Sequence, residues 1–235
     1  TYMKQLLIRN LILRQWTLLI YGLLLIFFPF YHLIDKQHLP YLVISGPMGI
    51  ILTIICLVDA GHLFRINRRL GGSQSYLFFG SLPVSRKDLL NANYISCIVL
   101  TIIGAIIISL YGYETSSIKT DSITFSTTYS FIIANFFSIP IAFNKSTEQK
   151  NKDVPYLAYV FGVIIVLPFF LSALFILINF LVHKDSHIPV VYSYFLNYGL
   201  LIISMISLIV NYMIQIRKIK IYPLKVVYHV IRTYQ

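Results

Sequence analysis

The sequence predicts an all-α integral membrane protein with six membrane-spanning helices and both termini in the cytoplasm. Three observations predict it: the composition, the length of the charge-free runs, and the placement of positive charge. Of 235 residues, 57% are hydrophobic and 11% are charged, and the mean hydropathy is +0.77. A soluble domain carries about 25% charged residues and needs polar cover for its surface. Lipid removes that need. No polar stretch approaches the roughly 50 residues of a small separate domain, so one transmembrane domain over residues 1–235 is expected.

A spanning helix needs about 20 mostly apolar residues. Six stretches free of Asp, Glu, Lys and Arg are long enough: Trp16 to Ile34, Gln37 to Val58, Leu89 to Tyr113, Ser122 to Asn144, Val154 to Val182 and Ser186 to Ile216. The expected spans are 17–34, 41–60, 92–113, 124–143, 156–181 and 193–215. The last two runs exceed one crossing, so they must tilt, kink or include interfacial turns. Pro29, Pro47, Pro140 and Pro168 fall inside runs, where membrane helices tolerate proline if neighbours satisfy the freed carbonyls. Tyrosines and Trp16 gather near the run ends, as interfacial belts require. No cleavable signal peptide is expected, because the first apolar run has no small-residue cleavage site after it.

Orientation follows from Lys and Arg, which are enriched in cytoplasmic loops. The N-terminal segment carries Lys4, Arg9 and Arg14, and the loop after span two carries Arg65, Arg68, Arg69, Arg86 and Lys87. The loop after span four holds Lys145, Lys150 and Lys152, and the C-terminal tail holds Arg217, Lys218, Lys220, Lys225 and Arg232. Only Lys36, Lys119 and Lys184 of the nineteen fall on the other side. The formal charge of +11 is thus scattered through short loops, which fits membrane lipids as partners and not nucleic acid. The two cysteines, Cys56 and Cys97, read as small buried hydrophobes without a disulfide.

The loop over residues 61–91 is the longest cytoplasmic connection. Gly71-Gly72-Ser73 breaks the helix leaving span two. Then Leu82-Pro83-Val84-Ser85-Arg86-Lys87-Asp88-Leu89-Leu90 follows. Pro83 stops regular structure, and Ser85 with Asp88 three residues on reads as a helix cap with an acidic partner. A short basic helix starts there and runs on toward span three.

This segment, with Tyr94-Ile95-Ser96 after it, resembles the S-L-P-V-S-R-K-E/D stretch of bacterial ABC-2-type transporter permeases. Six spans, cytoplasmic termini and a motif between spans two and three are similar to the ABC-2 (type V exporter-like) architecture. The basic Arg65 to Arg69 stands where that family usually has an acidic, lysine-rich run. The resemblance implies that Leu82, Pro83, Val84, Ser85, Arg86, Lys87 and Asp88 form a coupling helix that docks on an ABC ATPase subunit. The loop Asn144 to Asp153, with Lys145, Glu148 and Lys150, would be a second, weaker contact. Without the resemblance, the same segment reads as a capped surface helix whose basic residues obey the positive-inside rule.

The resemblance also implies what the chain lacks. No G-x-x-x-x-G-K-[ST] occurs, so ATP and its magnesium would be bound by a partner ATPase, and this chain needs no cofactor of its own. It would be a permease, not an enzyme, working with a second permease copy or paralogue. The resemblance implies export from the bacterial plasma membrane. Amphipathic peptide or lipophilic cargo is expected, of the kind moved by exporters of phenol-soluble modulins or bacteriocins. An intramembrane enzyme and a non-transporting scaffold or sensor are the alternatives.

Other constellations are weaker. Asp59 lies at the cytoplasmic end of span two with His62 three residues on, which share a face on a continuous helix. An acid at membrane depth is a functional candidate, and a helix-end role is the blander reading. His183 and His187 have helical metal-ligand spacing without the H-E-x-x-H pattern. Asn135, Asn179, Asn197, Asn211 and Gln215 either line a path or form interhelical hydrogen bonds. The N-terminal segment Met3 to Trp16 reads as basic and interfacial, since its polar residues do not share one helical face.

Overall fold

In a computed structural model the described residues are 2–33, 39–72, 84–111, 127–184, 192 and 194–221. They are helical almost throughout and contain no β-strand beyond one isolated bridge, Ser146 to Gln149. The helices are α1 (Tyr2–Leu13), α2 (Gln15–Leu33), α3 (Leu39–Asp59), α4 (His62–Arg69), α5 (Arg86–Leu110), α6 (Thr127–Ala142), α7 (Tyr156–Phe161), α8 (Leu167–His183) and α9 (Leu200–Ile221). A π turn at Gly162–Val166 joins α7 to α8, and another at Phe195–Gly199 leads into α9.

Four of these segments are long and apolar enough to cross a membrane: Gln15–Leu33, Arg86–Leu110, Tyr156–Val182 and Phe195–Ile219. A fifth passes if Val43–Asp59 and His62–Arg69, bent by 57° at their junction, count as one broken span. Thr127–Ala142 is equally apolar but has 16 residues. The apolar surface confirms the class. Leu33 is 82% exposed, Leu157 79% and Phe169 75%, a degree of apolar exposure that water penalises and lipid accepts.

The layers follow from which helices are buried. α5 and α6 form the centre: α5 packs on α1, α2, α4, α6 and α9, and α6 also meets α3 and α4. Over half of the most apolar stretch of α5 is buried (56%), against 6% for that of Tyr156–Val182, which lies on the outside of the bundle. Gly104 explains how α5 comes so close to its neighbours. A Cβ there would collide with the Tyr21 hydroxyl and stand 2.8 Å from the Phe131 ring. The π turn has a local cause as well. Pro168 has no N–H and its ring clashes with the carbonyl four residues back, and the widened turn immediately before it relieves both.

Two expectations change here. The helix leaving span two is already broken at Ala60–Gly61, ten residues before the glycine pair. After the break, α4 is not a solvated loop element. Its Leu63, Phe64 and Ile66 are buried in the main core cluster with Tyr94, Phe143 and Tyr159. Gly71 and Gly72, both with positive φ, do end α4, and Gly72 N–H bonds back to the Asn67 carbonyl at 2.9 Å. The N-terminal segment is a helix docked on α5, with Leu6 and Asn10 buried. Cys56 and Cys97 are free and buried, as expected.

Candidate functional site

The break between α3 and α4 frees helix-end groups that burial does not forgive. Each end finds partners. Gly61 takes φ +71, a conformation open to glycine, and its added Cβ would meet the Phe64 ring at 2.8 Å. On the α4 side, the Asn135 side-chain oxygen accepts the Gly61 N–H at 2.9 Å and the His62 N–H at 3.1 Å. On the α3 side, the Tyr156 hydroxyl donates to the Leu57 and Val58 carbonyls at 3.0 and 2.9 Å. Arg65 adds a second donor to Val58 O at 2.9 Å, and its guanidinium stacks 5.3 Å from the Tyr156 ring centre. Asn135 therefore caps a half-helix instead of lining a path.

Asp59 sits at this break and is buried, not snorkelling as a helix-end residue would. One carboxylate oxygen accepts from Arg14 Nη2 and, at 2.9 Å, from the Thr17 hydroxyl. The other accepts from the Tyr21 hydroxyl. His62 Nδ1 takes an Arg14 N–H at 3.1 Å and lies 3.8 Å from Asp59. The Asp59–His62 proximity expected from a helical face is thus achieved across a bend. Arg14 stands in the turn between α1 and α2. The cluster ties one helix junction to another, and a buried charge pair of this kind demands such complete partnering.

A second polar network lies on the side where the coupling segments were expected. Leu82 and Pro83 lie outside the described residues. Ser85 is extended and takes the N-cap position of α5. The expected capping bond is not made: the Ser85 side chain forms no cap hydrogen bond. Asp88 still stands in the first turn, where the helix dipole favours a carboxylate. Ser85, Arg86 and Lys87 are exposed, and Leu89 and Leu90 are buried.

The loop between α6 and α7 folds against this end of α5. Asn93 donates to the Thr147 hydroxyl at 3.0 Å, and Asn67 donates to the Glu148 carbonyl at 2.8 Å. Asn10 of α1 donates to Asn93 Oδ1 at 3.0 Å and Ser96 Oγ at 3.1 Å. Burial raises the Glu148 carboxyl to about 7, against the pull of the Arg86 and Arg9 charges. The Lys145–Lys150 loop is thus held near the start of α5, with Glu148 within electrostatic reach of Arg86. Lys145 is exposed and Lys150 half-buried on it.

A model of the ABC-2 family transporter proteins matches residues 5–220. The chain belongs to the ABC-2 transporter family. No curated protein and no solved structure matches it. As an ABC-2 family protein it is a multi-pass membrane permease subunit, not an enzyme, of a family that works with ABC ATPases. The match spans every described helix except the first residues of α1 and the last of α9.

Sequence reasoning missed the partners of Asp59. Arg14 lies 45 residues away, and Tyr21 38, so no local spacing announces them. Asn211 and Gln215 are interhelical fasteners: Asn211 donates to the Tyr94 hydroxyl at 3.0 Å and Gln215 to the Phe143 carbonyl at 2.6 Å. Asn179 and Asn197 also have partners. His183 is the last residue of α8, and His187 lies outside the described residues.

Proposed function

We propose that this ABC-2 family chain is the permease subunit of an ATP-driven exporter, with six spans and cytoplasmic termini. Its cargo is amphipathic peptide or lipophilic, phenol-soluble modulins being the leading case. Two permease copies, or this chain and a paralogue, enclose the path between them in the bacterial plasma membrane. Each permease receives force from a separate ABC ATPase through the Leu82–Asp88 segment and the Lys145–Lys150 loop.

The observation that carries this reading is the continuity of α5. Its exposed Arg86 and Lys87 belong to the same 25-residue helix whose middle is the core of the bundle. At 1.5 Å per residue that helix is about 37 Å long, so it acts as a rigid lever from the membrane surface into the core. A push on Arg86 is felt at Gly104 against Tyr21 and Phe131, and hence at the Asp59 junction. The scarcity of ionisable groups deep in the spans supports energy supplied from outside the bilayer, since proton-driven carriers place such groups near the midplane. The sixteen-to-three bias of Lys and Arg supports the orientation.

The test is co-purification in mild detergent with ABC ATPases from the same cells, wild type against Arg86→Glu/Lys87→Glu. Wild type is expected to carry an ATPase, and the charge-reversed variant to lose it while remaining folded. A folded wild-type protein that binds no ATPase leaves the scaffold reading instead.

A further inference from the structure

On the lipid-facing side of the Asp59 junction there is a cavity of about 220 Å³. Arg14, Arg65 and Arg69 line it together with Trp16, Tyr21 and Asp59. Three guanidinium groups face one carboxylate, so the cavity is net positive. Two of the arginines are held in place by helix-end carbonyls: Arg65 by Val58 O at 2.9 Å and Arg69 by Leu13 O at 2.5 Å. Each bond uses one of five donors; Arg65 is also engaged by Tyr156, and each guanidinium carries further N–H groups. Arg14 is only 6% exposed, and its Nε–H is buried without a hydrogen-bond partner. That residue already neutralises Asp59, so the remaining donor has no partner among the described residues. Trp16, 61% exposed, stands at the rim, where an indole marks the headgroup level.

The cavity does not end there. Ile20 and Ile55 line it and also line a larger groove of about 700 Å³ between α2 and α3. Every residue of that groove is apolar, among them Leu23, Phe27, Met48 and Ile51. Ile51 and Phe27 are exposed to the lipid side, 47% and 41%. A cationic pocket opening directly into a long apolar groove has the polarity pattern of one ligand class: an anionic head joined to a hydrocarbon chain. A free anion would fill the pocket and leave the groove unexplained.

We propose that an anionic glycerophospholipid binds this bipartite site, its phosphate among Arg14, Arg65 and Arg69 and an acyl chain in the α2–α3 groove. Basic pockets between membrane helices on the cytoplasmic side hold lipid headgroups by the same physics. The lipid would brace the turn between α1 and α2 against the bend between α3 and α4. The inference needs only that the chain is embedded in lipid, so it stands or falls apart from the ATPase coupling.

The experiment is native mass spectrometry of the full chain, purified in a neutral detergent and given phosphatidylglycerol or phosphatidylcholine. Wild type is expected to retain phosphatidylglycerol in preference, and millimolar inorganic phosphate is expected not to displace it. Arg65→Gln/Arg69→Gln, which spares the Arg14–Asp59 pair, is expected to lower retention about 30-fold, the effect of two cations near a membrane surface. Ile51→Trp, which fills the groove, is expected to lower it with the arginines intact. Equal retention of the two lipids, or a preference that survives Arg65→Gln/Arg69→Gln, overturns the proposal. Displacement by phosphate with no effect of Ile51→Trp shows a free-anion site and overturns it too. So does a dimer that Ile51→Trp dissociates while lipid retention is unchanged, because the groove then belongs to a second copy.

Discussion

Replacing Asp59 with asparagine keeps the side chain's size and removes its charge. Arg14, only 6% exposed, is then a buried cation whose carboxylate partner is gone. Removing one partner of a buried pair costs about 3–5 kcal/mol, because the other charge stays desolvated. For a chain of this size each kcal/mol lowers the unfolding temperature by roughly 2–4 °C, so a drop of roughly 10 °C is expected. Arg14→Met is expected to cost less, since Thr17 and Tyr21 still donate to Asp59. The double variant Arg14→Met/Asp59→Asn is expected to recover much of the loss, because the buried cation is removed together with its partner. The coupling energy between the two positions should reach about 2 kcal/mol, within the range seen for residues in contact. The assay is thermal unfolding in detergent, followed by a thiol-reactive dye. Cys56 and Cys97 are both free and buried, so labelling reports opening of the bundle. Single variants within about 1 kcal/mol of wild type, or strictly additive effects, would refute the claim that this pair holds the two junctions together.

Three further outcomes are expected. Glu148 has its carboxyl raised from the usual carboxylate range to about 7 by burial, so the folded state binds its proton more tightly than the unfolded chain does. Its contribution therefore favours folding most below about pH 4.5 and falls as pH rises to 7. Glu148→Gln should flatten the stability-against-pH profile in that window, and an unchanged slope would show that another group titrates there. Gly104→Ala is expected to cost about 1–3 kcal/mol by overpacking against Tyr21 and Phe131, read as a lower unfolding temperature. Asn135→Ala is expected to cost about 1–3 kcal/mol by leaving the Gly61 and His62 amides buried and unpaired, while Asn135→Asp, which keeps the acceptor, should cost less.

Much of the architecture is legible in the chain because lipid makes a one-dimensional demand. A span must be apolar for its whole length, and so charge-free runs announce helices. The start of α5 after Ser85 is equally local, marked by a turn-forming residue, an acid in the first turn and the proline before them. What stayed hidden depends on residues far apart in sequence. Nothing near Gly61 says that a helix ends there, because the acceptor that makes the break affordable is Asn135 on α6, over 70 positions later. Asp59 reads as an interfacial acid until Arg14 and Tyr21 are folded onto it. Asn10 looks like surface until Asn93 and Ser96 meet it, which is why the α1 segment showed no clean polar face. The π turn before Pro168 was half-visible: the proline demanded a distortion, and its form depends on backbone geometry that the sequence alone does not specify.

In the proposed mechanism Arg86 and Lys87, at the tip of a continuous helix, transmit ATP-driven force into the bundle. Its most direct measurement is the rate of ATP hydrolysis by the partner ATPase in proteoliposomes, with wild-type permease against Arg86→Glu/Lys87→Glu at matched unfolding temperature. Wild type is expected to stimulate hydrolysis, and the charge-reversed variant is not. Equal hydrolysis with both would contradict it, and would place the coupling contact elsewhere on the chain.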